Sequence, residues 1–66
     1  MQITVNGEVR PLPSAQTLAD LVESLDLGGR RIAVERNGEI VPRSQYPATV
    51  LDDGDELLIV HAIGGG

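Results

Sequence analysis

The chain has 66 residues, ten acidic and five basic side chains for a formal charge of −5, no cysteine, one histidine and a single aromatic residue. At this size only about 60% of the unfolded surface can be buried, which leaves one small domain with little interior to line a substrate cavity and argues against an enzyme acting alone. Absent thiols exclude disulfides, thiolate zinc sites and iron–sulfur clusters, a lone His61 cannot cage a metal, and the acidic balance opposes phosphate backbones, so no nucleic-acid partner is expected.

In chain order, Met1, Ile3 and Val5 alternate with Gln2, Thr4 and Asn6, the period of a strand buried on one face. Asn6-Gly7 favours the positive φ angles of a type I′ turn, so Glu8 to Leu12 should return antiparallel, with Pro11 and Pro13 marking an edge and its end. Over Thr17 to Leu25 the pattern changes to Leu18, Leu21, Val22 and Leu25, the stripe of an amphipathic helix. Thr17 can cap that helix, and Gly28-Gly29 offers a left-handed stop. Ile32 to Glu35 then reads as a strand, Asn37-Gly38 as a second hairpin turn, and Glu39 to Val41 as its partner, closed by Pro42. Residues 43 to 51 are irregular or a short helical turn. Asp52-Asp53-Gly54-Asp55 is a polar, solvated turn before a last strand from Glu56 to His61.

A hairpin, a crossing helix, a further hairpin and a final strand predict an α+β fold of β-grasp layout, a mixed four- to five-stranded sheet with one main helix packed across it. Residues 1–63 make up the β-grasp domain, and 64–66 a flexible C-terminal glycine tail. The longest apolar run, Leu57 to Val60, is four residues against the roughly 20 needed to cross a bilayer. With no basic-then-apolar leader at the start, the expected location is the cytoplasm, away from membranes, as a monomer when alone.

Gly64-Gly65-Gly66 follows an apolar strand without a polar cap. Glycines lose the most entropy on ordering and contribute no contacts, so the triplet cannot be there for stability. Extended, Ala62 to Gly66 would reach roughly 15 Å beyond the sheet, enough to enter another protein's active site. Glycines without Cβ atoms can thread a narrow channel, and the terminal carboxylate, ionised at neutral pH, is a nucleophile for the α-phosphate of ATP. All five basic residues are arginine, so no ε-amine on another copy could be acylated by an activated end. Lysine-linked chains of the ubiquitin kind are therefore closed off.

Asn6-Gly7 after an alternating strand, the Thr17 to Leu25 helix, Ile40-Val41-Pro42-Arg43, Asp53-Gly54-Asp55 before the last strand and the terminal Gly-Gly, in that order and at this length, resemble the ThiS family, the sulfur carriers of thiamine biosynthesis. The resemblance covers the whole chain. It implies a ubiquitin-like β-grasp fold and a carrier that is not itself an enzyme. Gly66 would be the modified position, adenylated by a ThiF-type adenylyltransferase using ATP and magnesium, and then converted to a thiocarboxylate. The remaining partners it implies are a sulfur-donating enzyme and a ThiG-type thiazole synthase that takes up the sulfur. Gly65 would be the unhindered neighbour of the reacting carbonyl. Gly64 stands where related carriers tolerate a small side chain, a mild departure.

Both faces of the last strand are largely apolar, Leu57, Ile59 and His61 on one side and Leu58, Val60 and Ala62 on the other. If Leu57 and Ile59 enter the core, Leu58, Val60 and Ala62 emerge as a docking patch leading to the tail; the alternative is a short helix or loop laid over them. A patch ringed by Asp52, Asp53, Asp55 and Glu56 suits a basic-rimmed socket. His61 is better read as a solvated strand end than a proton shuttle. The Asp52 to Asp55 turn lacks the ligand spacing of a calcium loop. Arg30, Arg31, Arg36 and Arg43 are scattered among acids and form no phosphate site. Two other functions fit the same elements: the small carrier subunit of molybdopterin synthase, and a β-grasp interaction module whose glycine end is incidental.

Overall fold

A computed structural model describes residues 1–61. Strand β1 (Gln2–Val5) turns into β2 (Glu8–Pro11); helix α1 (Leu18–Ser24), β3 (Ile32–Arg36), β4 (Glu39–Val41), a 3-10 helix (Arg43–Ala48) and β5 (Glu56–His61) follow. The five strands form one sheet in the order β2-β1-β5-β3-β4. β5 runs parallel to β1, with Thr4 opposite Glu56, and antiparallel to β3, with Val34 opposite Ile59, so the sheet is mixed and its last strand is its centre. The predicted α+β β-grasp arrangement, one helix across a mixed sheet, is the one that forms.

Both hairpins turn as their Asn-Gly pairs dictate: φ is +52° and +83° at Asn6 and Gly7, and +52° and +86° at Asn37 and Gly38. Two successive positive φ angles define the type I′ turn, whose twist matches that of the strands it joins. β2 is an edge strand exposed at all four positions, and it stops one residue short of the expected Leu12. Pro11 withholds a donor at that edge, which blunts it against pairing with another chain. β3 runs one residue past the expected Glu35, to Arg36.

The Thr17 hydroxyl accepts from the Asp20 amide at 3.2 Å, and the Asp20 carboxylate accepts from the Thr17 amide at 3.1 Å, a reciprocal capping box that fixes the start of α1. The helix ends at its C-cap Leu25, as expected, but the stop comes from a different residue. α1 is two turns long, and the left-handed residue beyond it is Asp26 (φ +60°), not Gly28 or Gly29. The Leu27 amide reaches back to the Val22 carbonyl and the Asp26 amide to that of Glu23, each at 3.0 Å, the two bonds of a Schellman motif. Asp is one of the few side chains able to hold that conformation, so the chain stops its helix before it reaches the glycines.

Leu18, Leu21 and Val22 of α1 are buried against Ile3 and Val5 of β1, Val34 of β3, and Leu57 and Ile59 of β5. Leu12, Tyr46 and Leu51 close this core from the connections. The 3-10 helix packs beside α1, and the segment after it is stitched to the helix start by Leu18 N–H to Thr49 O (2.8 Å) and Leu51 N–H to Gln16 O (2.9 Å). Helix and connections thus share one face of the sheet. Among the described residues no helix is long and apolar enough to cross a membrane.

Candidate functional site

β5 alternates in burial: Leu57 and Ile59 are 3% and 6% exposed, whereas Leu58 and Val60 are 45% and 48% exposed. The structure therefore puts Leu58 and Val60 on the face opposite α1, where no described helix or loop lies over them. Ala62, Gly64, Gly65 and Gly66 lie outside the described residues. Register extends the exposed row sideways, since Glu35 sits opposite both Leu58 and Ile40, and Ala33 opposite Val60. Ile40 at one edge of the sheet and Val9 towards the other are also exposed. His61, exposed, ends β5 opposite Ile32.

Two asparagines hold this strand, one from each hairpin turn. The Asn6 side chain accepts from the Ile59 amide at 2.8 Å and donates to the Ile59 carbonyl at 3.1 Å, taking over where the β1–β5 ladder stops. Asn37 accepts from the Glu56 amide through Oδ1 at 2.9 Å, and its backbone N–H donates to the Glu56 carbonyl at 2.8 Å. From the sequence these residues read as turn formers alone. The signal for the second role is that both are Asn and not Asp, because only a carboxamide can both donate and accept: Asn6 does so at Ile59 alone, whereas Asn37 accepts from the Glu56 amide and donates to the Asp55 carboxylate.

The polar turn is also more than a solvated loop. Asp55 is buried, 6% exposed, and accepts from Arg36 Nε at 2.9 Å, the Asp52 amide at 2.8 Å and Asn37 Nδ2 at 3.1 Å. Burial pushes the Asp55 carboxyl up, but the Asp52 amide, the Asn37 side chain and the Arg36 guanidinium outweigh it and leave its pKa below the ordinary aspartate value. The Arg36 pKa is raised, chiefly by its hydrogen bond to Asp55. Arg36 also reaches Asp52 at 3.0 Å, and the Gln2 amide donates to Asp53 at 2.8 Å. Asp55 is thus withdrawn from the expected acidic ring, and Arg36 is no scattered surface cation. Neither could be found from spacing, since the partners stand 19 residues apart.

The acids that flank the exposed row are Glu35 and Glu56. An open groove of about 370 Å³ at the start of β5 is lined by Thr4, Glu35, Glu56, Leu57 and Leu58 together with Asn6, Gly7 and Gly38 of the two hairpin turns. Arg43 is occupied elsewhere: its guanidinium donates to the carbonyls of Arg30 (2.9 Å) and Gly28 (3.3 Å) and stands 5.9 Å from the centroid of the Tyr46 ring. No group of His, Asp or Glu side chains among the described residues is arranged to hold a metal ion. What the described residues offer is a central strand whose outer face carries one acid, Glu56, and two exposed apolar side chains, Leu58 and Val60.

Comparison with known proteins is consistent across sequence and structure. The family model described as "ThiS family" matches residues 3–66. Over its whole length the chain is 46% identical to a thiazole synthase of Paramagnetospirillum magneticum, but spans only 20% of that protein. It is 36% identical to the sulfur carrier protein ThiS of Escherichia coli, with both chains covered completely. The crystal structure of the thiamine biosynthesis protein ThiS from Geobacter metallireducens superposes with a TM-score of 0.86 at 30% identity, again over all of both chains.

Proposed function

We propose that this chain, which belongs to the ThiS family, works as a sulfur carrier for thiazole formation in thiamine biosynthesis, with the α-carboxylate of Gly66 as the carrying group. The observation that carries the reading is the extent of the family match, which runs through Gly66 and so includes the glycines along with the fold. A glycine carboxylate has no side chain to shield it, and Gly64 and Gly65 add none on the approach.

In this reading the carboxylate oxygen attacks the α-phosphate of ATP on a ThiF-type adenylyltransferase that supplies magnesium, and pyrophosphate leaves. The resulting acyl adenylate is attacked at its carbonyl carbon by hydrosulfide released by a sulfur-donating enzyme, the new C–S bond forming as the C–O bond to AMP breaks. AMP departs, and a thiocarboxylate remains. A ThiG-type thiazole synthase then takes the sulfur, a role supported by the stretch of a thiazole synthase that is 46% identical to this chain. Acid–base and nucleotide chemistry belong to those partners. The carrier's contribution is to present its end and to dock through Leu58, Val60 and Ala62. Exposure of Leu58 and Val60 on the central strand that leads to the glycines supports that assignment.

Intact mass measurement of protein co-expressed with these partners tests the reading. The expected result is a species ending at Gly66 and heavier by the difference between sulfur and oxygen, with the increment lost when Gly66 is deleted. A chain that never gains sulfur under those conditions, while remaining folded, would refute it.

A further inference from the structure

We infer that the groove at the start of β5 receives an arginine side chain from the adenylyltransferase that activates the carrier. The inference rests on the carrier reading above and adds the point on the carrier that the partner holds.

Among the described residues, register and burial define the strand positions on the open face. They are Gln2 and Thr4 of β1, Val9 and Pro11 of β2, Ala33 and Glu35 of β3, Ile40 of β4, and Glu56, Leu58 and Val60 of β5. Two are carboxylates and none is basic. Arg36, the cation nearest in sequence to Glu35, lies on the other face and is engaged by Asp55 and Asp52. Among the described residues Glu35 and Glu56 make no ion pair and no side-chain hydrogen bond. They are diagonal neighbours across β3 and β5, a placement that sets Cα atoms roughly 7 to 8 Å apart. They flank Leu58, which is 45% exposed on the groove floor.

That combination selects one kind of occupant. A planar guanidinium can lie flat on the Leu58 side chain while its two edges face the two carboxylates, and its weak hydration makes it the cation least costly to bring onto an apolar floor. An apolar side chain would strand both carboxylates against the partner without a counter-charge. The groove thus lies beside the apolar row of Leu58 and Val60 and fixes the register in which that row meets its partner.

The test is binding of the full-length carrier to a purified ThiF-type adenylyltransferase, compared between wild type and the double variant Glu35→Gln, Glu56→Gln. Both substitutions keep side-chain shape, so the urea midpoint should stay unchanged; Glu56→Gln alone serves if the pair lowers it. The expected result is at least tenfold weaker binding and a shallower dependence of affinity on salt than wild type. Wild-type affinity in the double variant overturns the groove while leaving the carrier reading intact if Gly66 still gains sulfur. Weaker binding with an unchanged salt dependence overturns the cationic occupant. Failure of the wild type both to bind and to gain sulfur overturns the carrier reading and the groove together.

Discussion

Replacing Asp55 by Asn changes one atom and puts the buried network to a sharp test. All three groups facing the carboxylate are N–H donors: Arg36 Nε, the Asp52 amide and Asn37 Nδ2. A carboxamide has one acceptor oxygen and one donor nitrogen, so at least one donor must then face another donor. Keeping the oxygen on Arg36 and Asp52 turns the new amide against Asn37. Flipping Asn37 to relieve that contact moves its own amide onto the Glu56 N–H, which its oxygen now satisfies at 2.9 Å. Losing the Asn37 bond costs about 1 kcal/mol, and weakening the charge-assisted bond to Arg36 about 1 to 2 kcal/mol more. The lower end applies because the Arg36 side chain is 28% exposed and retains Asp52. A loss of about 2 kcal/mol is therefore expected, against a total of roughly 3 to 10 kcal/mol for a chain of this size. Urea unfolding at pH 7, followed by far-ultraviolet circular dichroism, measures it. A change below about 0.5 kcal/mol with an unchanged m-value would show that the network contributes little and that the reasoning is wrong.

The same carboxylate makes stability depend on acid. Its native pKa lies below the unfolded value of about 3.9, so its contribution is present above that pH and is lost as pH falls through the native pKa; the urea midpoint should decline over that window, and less steeply in Asp55→Asn. Asp26→Gly should stabilise the protein by several tenths of a kcal/mol, because glycine holds the left-handed position beyond α1 without a Cβ penalty; a lower melting temperature would contradict the motif. Thr17→Ala removes one arm of the capping box and should cost about 1 kcal/mol in the same urea assay. Val60→Asp should leave the unfolding free energy from urea titration within about 0.5 kcal/mol while abolishing binding to the adenylyltransferase, whereas unfolding would place Val60 in the core.

How far the sequence could be read follows the distance over which each feature is decided. The Asn-Gly turns, the Leu18, Leu21 and Val22 stripe and the burial of Ile3 and Val5 in β1 are settled within a few residues and appear where the sequence puts them, whereas Met1, expected on the same face, is exposed ahead of the strand. The helix ends at Leu25 as its pattern predicts, but the stop is not at the Gly-Gly pair, the louder signal, because the bonds from Asp26 and Leu27 close the helix first. Asp55 looked solvated because its four-residue surroundings are polar, and its burial depends on Arg36 arriving from another strand. The second role of Asn6 depends in the same way on Ile59, 53 residues further on.

Composition, periodicity and turn chemistry by themselves determined the elements and their order, because those properties depend on contacts between near neighbours, and the motifs in that order carried the resemblance to the family. Only the tertiary structure decided which face of β5 stays open, which acids border it and which are consumed inside. Those outcomes follow from the register of strands far apart in the chain, where a shift of one residue would exchange the buried and exposed rows of the central strand.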